Sequence, residues 1–206
     1  MYARSTTVHG SPQKIDEGIA YVHDQVMPLV EQMDGCVGLS MLADRASGRC
    51  IVTTAWQSED AMRASAEGVR ASRARAGEIF GAEPEVDEWE IALVHRMRPA
   101  DAGACTRVIW GSRDAGQMDE DRDAFRMTLI PKMEDLPGFC SVSLLADRPH
   151  GRTATAVTYE SRAAMERANE QAAAMREEFT RSIGMEIAEV AEFDLVIAHL
   201  RVPEMV

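Results

Sequence analysis

Lysine is almost missing from this chain of 206 residues: Lys14 and Lys132 stand alone against 20 arginines. That bias reflects a GC-rich genome more simply than guanidinium chemistry, so arginine abundance alone marks no site. No long basic run occurs, and the net charge of −12 divides evenly, with ten basic and sixteen acidic residues in 1–103 and twelve and eighteen in 104–206. Such a surface repels phosphate backbones and anionic lipid, so nucleic acid and membrane are not expected partners. The four cysteines, Cys36, Cys50, Cys105 and Cys140, form no CxxC and no Cys/His cluster. Neither a disulfide framework nor a metal site is expected, and the thiols read as reduced and buried. There is no apolar signal core near Met1 and no run of 18 apolar residues, which points to the cytoplasm.

What is present is a repeat. Leu42-Ala43-Asp44-Arg45-Ala46-Ser47-Gly48-Arg49 returns as Leu145-Ala146-Asp147-Arg148-Pro149-His150-Gly151-Arg152, at an offset of 103. Pro28 and Pro131, Gly35 and Gly138, and Ala61-Met62 and Ala164-Met165 keep the same offset. A duplication of this length is a whole domain. The expected organisation is one unit over 1–98, a linker over 99–104 containing Pro99 and Gly103, and a second unit over 105–206.

Each half predicts the same elements. A Thr- and Val-rich strand starts near Tyr2, and near Cys105 in the copy. Ser11 and Pro12 open a helix with the stripe Ile15, Ile19, Val22, Val26, Leu29 and Met33, which Pro28 should kink. Residues 35–43 alternate as a strand, Asp44–Gly48 make a hairpin turn, and a second strand runs to Trp56. Ser58 and Ser161 cap a second helix, whose Arg63, Arg70, Arg73 and Arg75 are expected to be solvated. A last strand covers 85–96. The order strand, helix, strand, strand, helix, strand is that of a ferredoxin-like α+β unit with one bare sheet face. Two such faces can cover each other within the chain around a pseudo-two-fold axis, an internal dimer with room for further homodimerisation.

The approach from Pro28 to Gly35, the Ala-Asp-Arg-x-x-Gly-Arg hairpin and the strand ends Thr-Ala-Trp-Gln-Ser and Val-Thr-Tyr-Glu-Ser resemble actinobacterial members of the antibiotic biosynthesis monooxygenase domain family. The resemblance covers both halves and implies a dimeric α+β barrel. For function it implies a cofactor-independent monooxygenase, or a related enzyme, acting on a small aromatic or quinol-like compound. The haem-degrading branch pairs an Asn on the first strand with a Trp and a His on the second helix. Here Arg4 and Arg107 occupy the first strands, and no His or Trp lies in 58–76 or 161–182, so haem degradation is disfavoured.

Cofactor-free oxygenation needs an apolar pocket and a group that stabilises an ionised phenol or enol, because the electron-rich anion itself reduces O2. His95 and His199, at matched strand positions, can act as base or stand as surface histidines. Arg4 and Arg107 also match, and can hold a phenolate or pair with a carboxylate. Aromatic residues are only 5% of the chain, so the matched pairs Trp56 with Tyr159 and Trp89 with Phe193 stand out as substrate-contacting candidates or core. A non-catalytic barrel that binds a small hydrophobic molecule or a protein partner is the alternative from a different class.

Overall fold

The computed structural model describes residues 1–101 and 103–205; Ala102, within the expected linker, and Val206 lie outside the described residues. Eight strands are hydrogen-bonded in the order β1-β3-β2-β8-β5-β7-β6-β4 as a closed α+β barrel. They are β1 (Tyr2–His9), β2 (Cys36–Ala43), β3 (Arg49–Trp56), β4 (Glu85–Arg96), β5 (Cys105–Ser112), β6 (Phe139–Asp147), β7 (Arg152–Tyr159) and β8 (Glu186–Leu200). Two compact units divide the chain: Met1–Trp89 with Asp194–Val202, and Glu90–Phe193 with the segment from Pro203. These units cut across the sequence repeats. The C-terminal part of β8 pairs with β2 in unit 1, from Ala43↔Asp194 to Gly38↔Leu200, and Glu90 to Arg96 of β4 pair with β6 in unit 2.

In unit 1, helix α1 (Ile15–Tyr21) runs through a π turn at Val22–Val26 into α2 (Met27–Glu31). The expected kink takes this form because Pro28 has no N–H to give to the preceding turn. The chain widens by one residue there, and the Met27 N–H donates to the Val22 carbonyl five residues back. Unit 2 solves the same problem in the same way: between α5 (Met118–Ala124) and α6 (Ile130–Glu134), ahead of Pro131, the Ile130 N–H donates to the Phe125 carbonyl. Ser11 does not cap as expected; its hydroxyl bonds the Gln13 side chain instead, and Pro12–Lys14 form a 3-10 turn.

Ser58 and Ser161 do cap their helices, accepting from the Ala61 and Ala164 N–H groups at 3.1 and 3.2 Å. The unit 2 helix, α7 (Arg162–Ile183), is continuous, whereas unit 1 breaks at Val69 into α3 (Glu59–Gly68) and α4 (Arg70–Phe80). Gly68 stands where unit 2 has Gln171. Glycine costs about 1 kcal/mol in a helix, which weakens unit 1 here, while the space a Cβ would take is used by the flexible end of Met33, its Cε 2.8 Å away.

Each unit has its own core between helices and sheet. In unit 1, Ile15, Val22 and Val30 pack on Leu39, Met41 and Ala43 of β2, with Phe80 and Ile197. In unit 2, Phe125, Leu129, Met133 and Leu136 pack on Phe139, Val142 and Val157, with Met165 and Ala168. Each large apolar side chain so buried contributes roughly 1.5–3 kcal/mol. The four cysteines are free thiols, but Cys36 is only partly buried, unlike the other three. Among the described residues no helix is long and apolar enough to cross a membrane.

Candidate functional site

Each unit holds a cavity between its helices and the helix-facing side of its strands. The unit 1 cavity has eleven lining residues, among them Arg4, Val22, Val69, Arg73 and Ala76, and adding 103 to every one gives a residue lining the unit 2 cavity. They are one site in two versions. The unit 2 version encloses about 970 Å³, counting space continuous with solvent, against about 490 Å³ in unit 1. Its walls are mostly apolar: Ile109, Phe125, Leu129, Met133, Met175 and Phe179 among others.

Arg113, Asp121, Arg122 and Arg148 also line this cavity, but Arg107 and Arg176 are the two charged residues that it shares in register with unit 1. Arg107, on β5, is 3% exposed. Its Nε and Nη2 donate to Glu192 Oε1 at 3.1 and 2.6 Å, and Nη2 also reaches Asn169 Oδ1 at 3.0 Å. Nη1 is buried and has no hydrogen-bond partner. The guanidinium carbon lies 6.0 Å from the centre of the Tyr159 ring, a cation–π distance. The Arg176 side chain, one face of α7 away, makes no hydrogen bond or ion pair among the described residues. Burial, then the charge of Arg107, lowers its pKa from the usual arginine value. Burial raises the Tyr159 phenol, which the two guanidiniums offset only in part, so it stays protonated at neutral pH. Two guanidiniums in a mostly apolar wall, one of them paired with Glu192, give this part of the cavity a positive lining of the kind that suits an anion.

Unit 1 repeats the arrangement with its donors satisfied. Arg4, equally buried, donates from Nε and Nη2 to Glu88 Oε1 at 3.1 and 2.7 Å, from Nη2 to the Met62 carbonyl at 2.8 Å and from Nη1 to Ser65 Oγ at 2.9 Å. Arg73 faces it, its pKa lowered by burial and then by the Arg4 charge. The expectation that Arg73 is solvated is thus corrected: it lines the cavity, while Arg63, Arg70 and Arg75 form ion pairs with Glu59, Glu67 and Glu78 on the exposed helix faces. Residues 69, 73 and 76 share one helical stripe, and the arginine recurs at 176. That signal was available in the sequence.

The remaining candidates separate. His95 lies outside both cavities, its Nδ1 2.6 Å from Glu204 Oε1, its Nε2 2.8 Å from Glu134 Oε1 and its ring stacked on Phe139. His199 pairs with Glu31 at 2.9 Å and also lines neither cavity. Trp56 is fully buried and its indole N–H donates to Thr54 Oγ1 at 3.0 Å, while that of Trp89 donates to Ser5 Oγ at 2.9 Å. Phe193 packs edge-on against Trp110 at 6.4 Å. Of the four aromatics, Tyr159 alone lines a cavity. Among the described residues no cluster of three His, Cys, Asp or Glu side chains is placed to hold a metal ion.

The chain is thus an α+β barrel with a mostly apolar, arginine-lined cavity in each unit. The profile of the antibiotic biosynthesis monooxygenase family matches residues 1–76. Rv2557 and Rv2558, uncharacterized proteins of Mycobacterium tuberculosis, are each 47% identical over the whole of this chain, which covers 92% and 88% of their lengths. The chain belongs to the antibiotic biosynthesis monooxygenase domain family. Among solved structures, a candidate monooxygenase of Fusobacterium nucleatum is similar with a TM-score of 0.69 at 12% identity, over 99% of this chain and 95% of that one. An anthrone oxidase-like protein is similar with a TM-score of 0.64 at 15% identity, over 96% and 92%. At such identities these two likenesses speak to the fold.

Proposed function

We propose that the protein is a cofactor-independent monooxygenase that oxidises a small phenolic or quinol-like aromatic in the unit 2 cavity. The observation that carries this reading is the pairing of Arg107 and Arg176 in a mostly apolar wall, with Arg107 held by one hydrogen bond fewer than its counterpart Arg4. A hydroxylated aromatic bound there presents its oxygen to both guanidiniums, which favour the phenolate or enolate and so lower the pKa of the bound group. The proton leaves to solvent. The carbanion-like ring carbon then reduces O2: a CH2 group becomes C=O, one oxygen atom enters the product and the other leaves as water, so that ArCH2 + O2 gives ArC=O + H2O. Apolar walls keep water from the intermediate and admit O2. The anthrone oxidase-like neighbour is in keeping with this substrate class.

A hydroxyanthrone should support oxygen uptake that falls at least about tenfold in Arg107→Leu, a loss of about 1.4 kcal/mol of transition-state stabilisation. Arg4→Leu should reduce it less. Unchanged uptake in Arg107→Leu removes the arginine from the mechanism. No uptake over a broad panel of phenols and quinols favours the second reading, a non-catalytic binding protein, which the placement of both candidate histidines outside the cavities supports.

A further inference from the structure

The two cavities have the same eleven-residue lining in register, yet they differ at three further positions that decide whether a ligand fits. The first is residue 80. Phe80 is 1% exposed, and its ring packs against Gly18 so closely that a Cβ there would lie 2.0 Å from Cζ. In unit 2 the matched residues are Ile183 and Asp121, and both line open cavity, as does Met118, the counterpart of Ile15. The Phe80 ring therefore fills in unit 1 the end that unit 2 leaves empty. The third difference is at residue 65. Ser65 accepts from Arg4 Nη1 at 2.9 Å and donates to the Met62 carbonyl at 2.7 Å, whereas its counterpart Ala168 offers Arg107 nothing and leaves Nη1 unmet. One cavity is about half the size, with its arginine fully held; the other is larger, with its arginine one bond short.

We infer that the chain carries one working anion site, in unit 2, that takes one planar aromatic anion, and that unit 1 holds a reduced copy of it, narrowed by Phe80 so that the ring does not fit and with its arginine held by Ser65. This rests on the anion-site reading above and adds which half works and why. Nη1 of Arg107 is buried and lacks the partner that Ser65 gives Arg4, so Arg107 is anchored by one bond fewer and turns toward a ligand at lower cost. Satisfying Arg4 internally removes that advantage, and the Phe80 ring takes the room. Unit 1 then contributes strands and core.

The test is calorimetric stoichiometry on the full chain with two probes of shared ring and different acid: 2-naphthoate, and 2-naphthol at a pH where it is ionised. The wild type should take one equivalent, lost at least tenfold in affinity with Arg107→Leu and kept with Arg4→Leu. Two equivalents, or one that disappears with Arg4→Leu, overturn the inference while leaving the anion-site reading intact. Opening unit 1 with Ser65→Ala and Phe80→Ile, the residues unit 2 already has, should add a second equivalent that Arg4→Leu then abolishes. The unit 2 equivalent in the same sample reports that the variant is folded; a single equivalent in that folded variant overturns the roles given to Phe80 and Ser65. Preference for 2-naphtholate supports an oxidisable phenol as ligand. Preference for 2-naphthoate leaves the one-site inference standing and counts against the oxygenase reading. Binding of neither probe, in the wild type, overturns both.

Discussion

Replacing Ala168 with serine should make the protein more stable and less active at once. Ala168 is fully buried on α7, one turn after Met165, at the position where unit 1 has Ser65. In unit 1 that serine lies 2.9 Å from Arg4 Nη1 and 2.7 Å from the Met62 carbonyl, so its oxygen accepts and its proton is used. Arg107 is held as Arg4 is, with Nη2 2.6 Å from Glu192 against 2.7 Å from Glu88, so Ala168→Ser places an acceptor beside the unmet Nη1. A hydrogen bond to a charged group is worth roughly 1.5–3 kcal/mol. Side-chain ordering and the new atom in a packed site take part of it, leaving about 1 kcal/mol, or roughly 2–4 °C in Tm for a chain of this size. The same bond anchors the guanidinium and resists its turn toward a substrate oxygen, and losing one charge-assisted contact of about 1.5–3 kcal/mol slows oxygen uptake roughly ten- to a hundredfold. Differential scanning calorimetry and an oxygen electrode read the two effects. An unchanged or lower Tm together with unchanged uptake would refute the claim that Nη1 is an unmet donor whose anchoring governs binding.

Two further expectations test the frame around the cavity. Burial alone would raise the Asp147 carboxyl, but hydrogen bonds from Arg152 and His150 outweigh it and hold it below the usual aspartate range. A depressed acid contributes stability that is present above its unfolded value, near 3.9, and is lost as pH falls through its folded value. Asp147→Asn should therefore lower Tm at pH 7 and flatten the acid limb below pH 4, and an acid limb identical to wild type would contradict it. Gly138 has φ +68, and a Cβ there would meet the Ala164 Cβ at 2.4 Å. Gly138→Ala should cost on the order of 2 kcal/mol in urea unfolding, through left-handed strain and the clash, and a cost below about 0.5 kcal/mol would be inconsistent with that packing.

The sequence carried the element order because apolar periodicity, serine caps and hairpin glycines all point the same way at the same offsets. Proline at 28 and 131 was legible as a disturbance but not as a π turn, since a missing N–H can be absorbed by bending or by widening. The division of β4 and β8 between units was not legible: both strands are long and carry a register shift, and a run of apolar residues does not say which neighbour each part pairs with. For the site, Arg4, Arg107 and Tyr159 stood out as matched residues on strands whose helix-facing sides line cavities. Arg73 and Arg176 were hidden by the habit of assigning helical arginines to solvent, although their aliphatic stems sit in the apolar stripe. His95 and His199 were attractive because they match, yet matching carried no information about which side of the strand faces a cavity. The narrowing by Phe80 is a consequence of a glycine on another helix, a pairing that only the folded chain brings together.

The central claim is that two guanidiniums in unit 2, the buried Arg107 and the partly exposed Arg176, hold an aromatic oxyanion, and the ionisation of a bound phenol measures it directly. Absorbance titration of 2-naphthol with the protein in excess should show the bound phenol ionising at least one pH unit below the free compound, a shift worth about 1.4 kcal/mol. The shift should vanish in Arg107→Leu and persist in Arg4→Leu. A bound phenol that ionises at or above the pH of the free compound in the wild type would contradict the account.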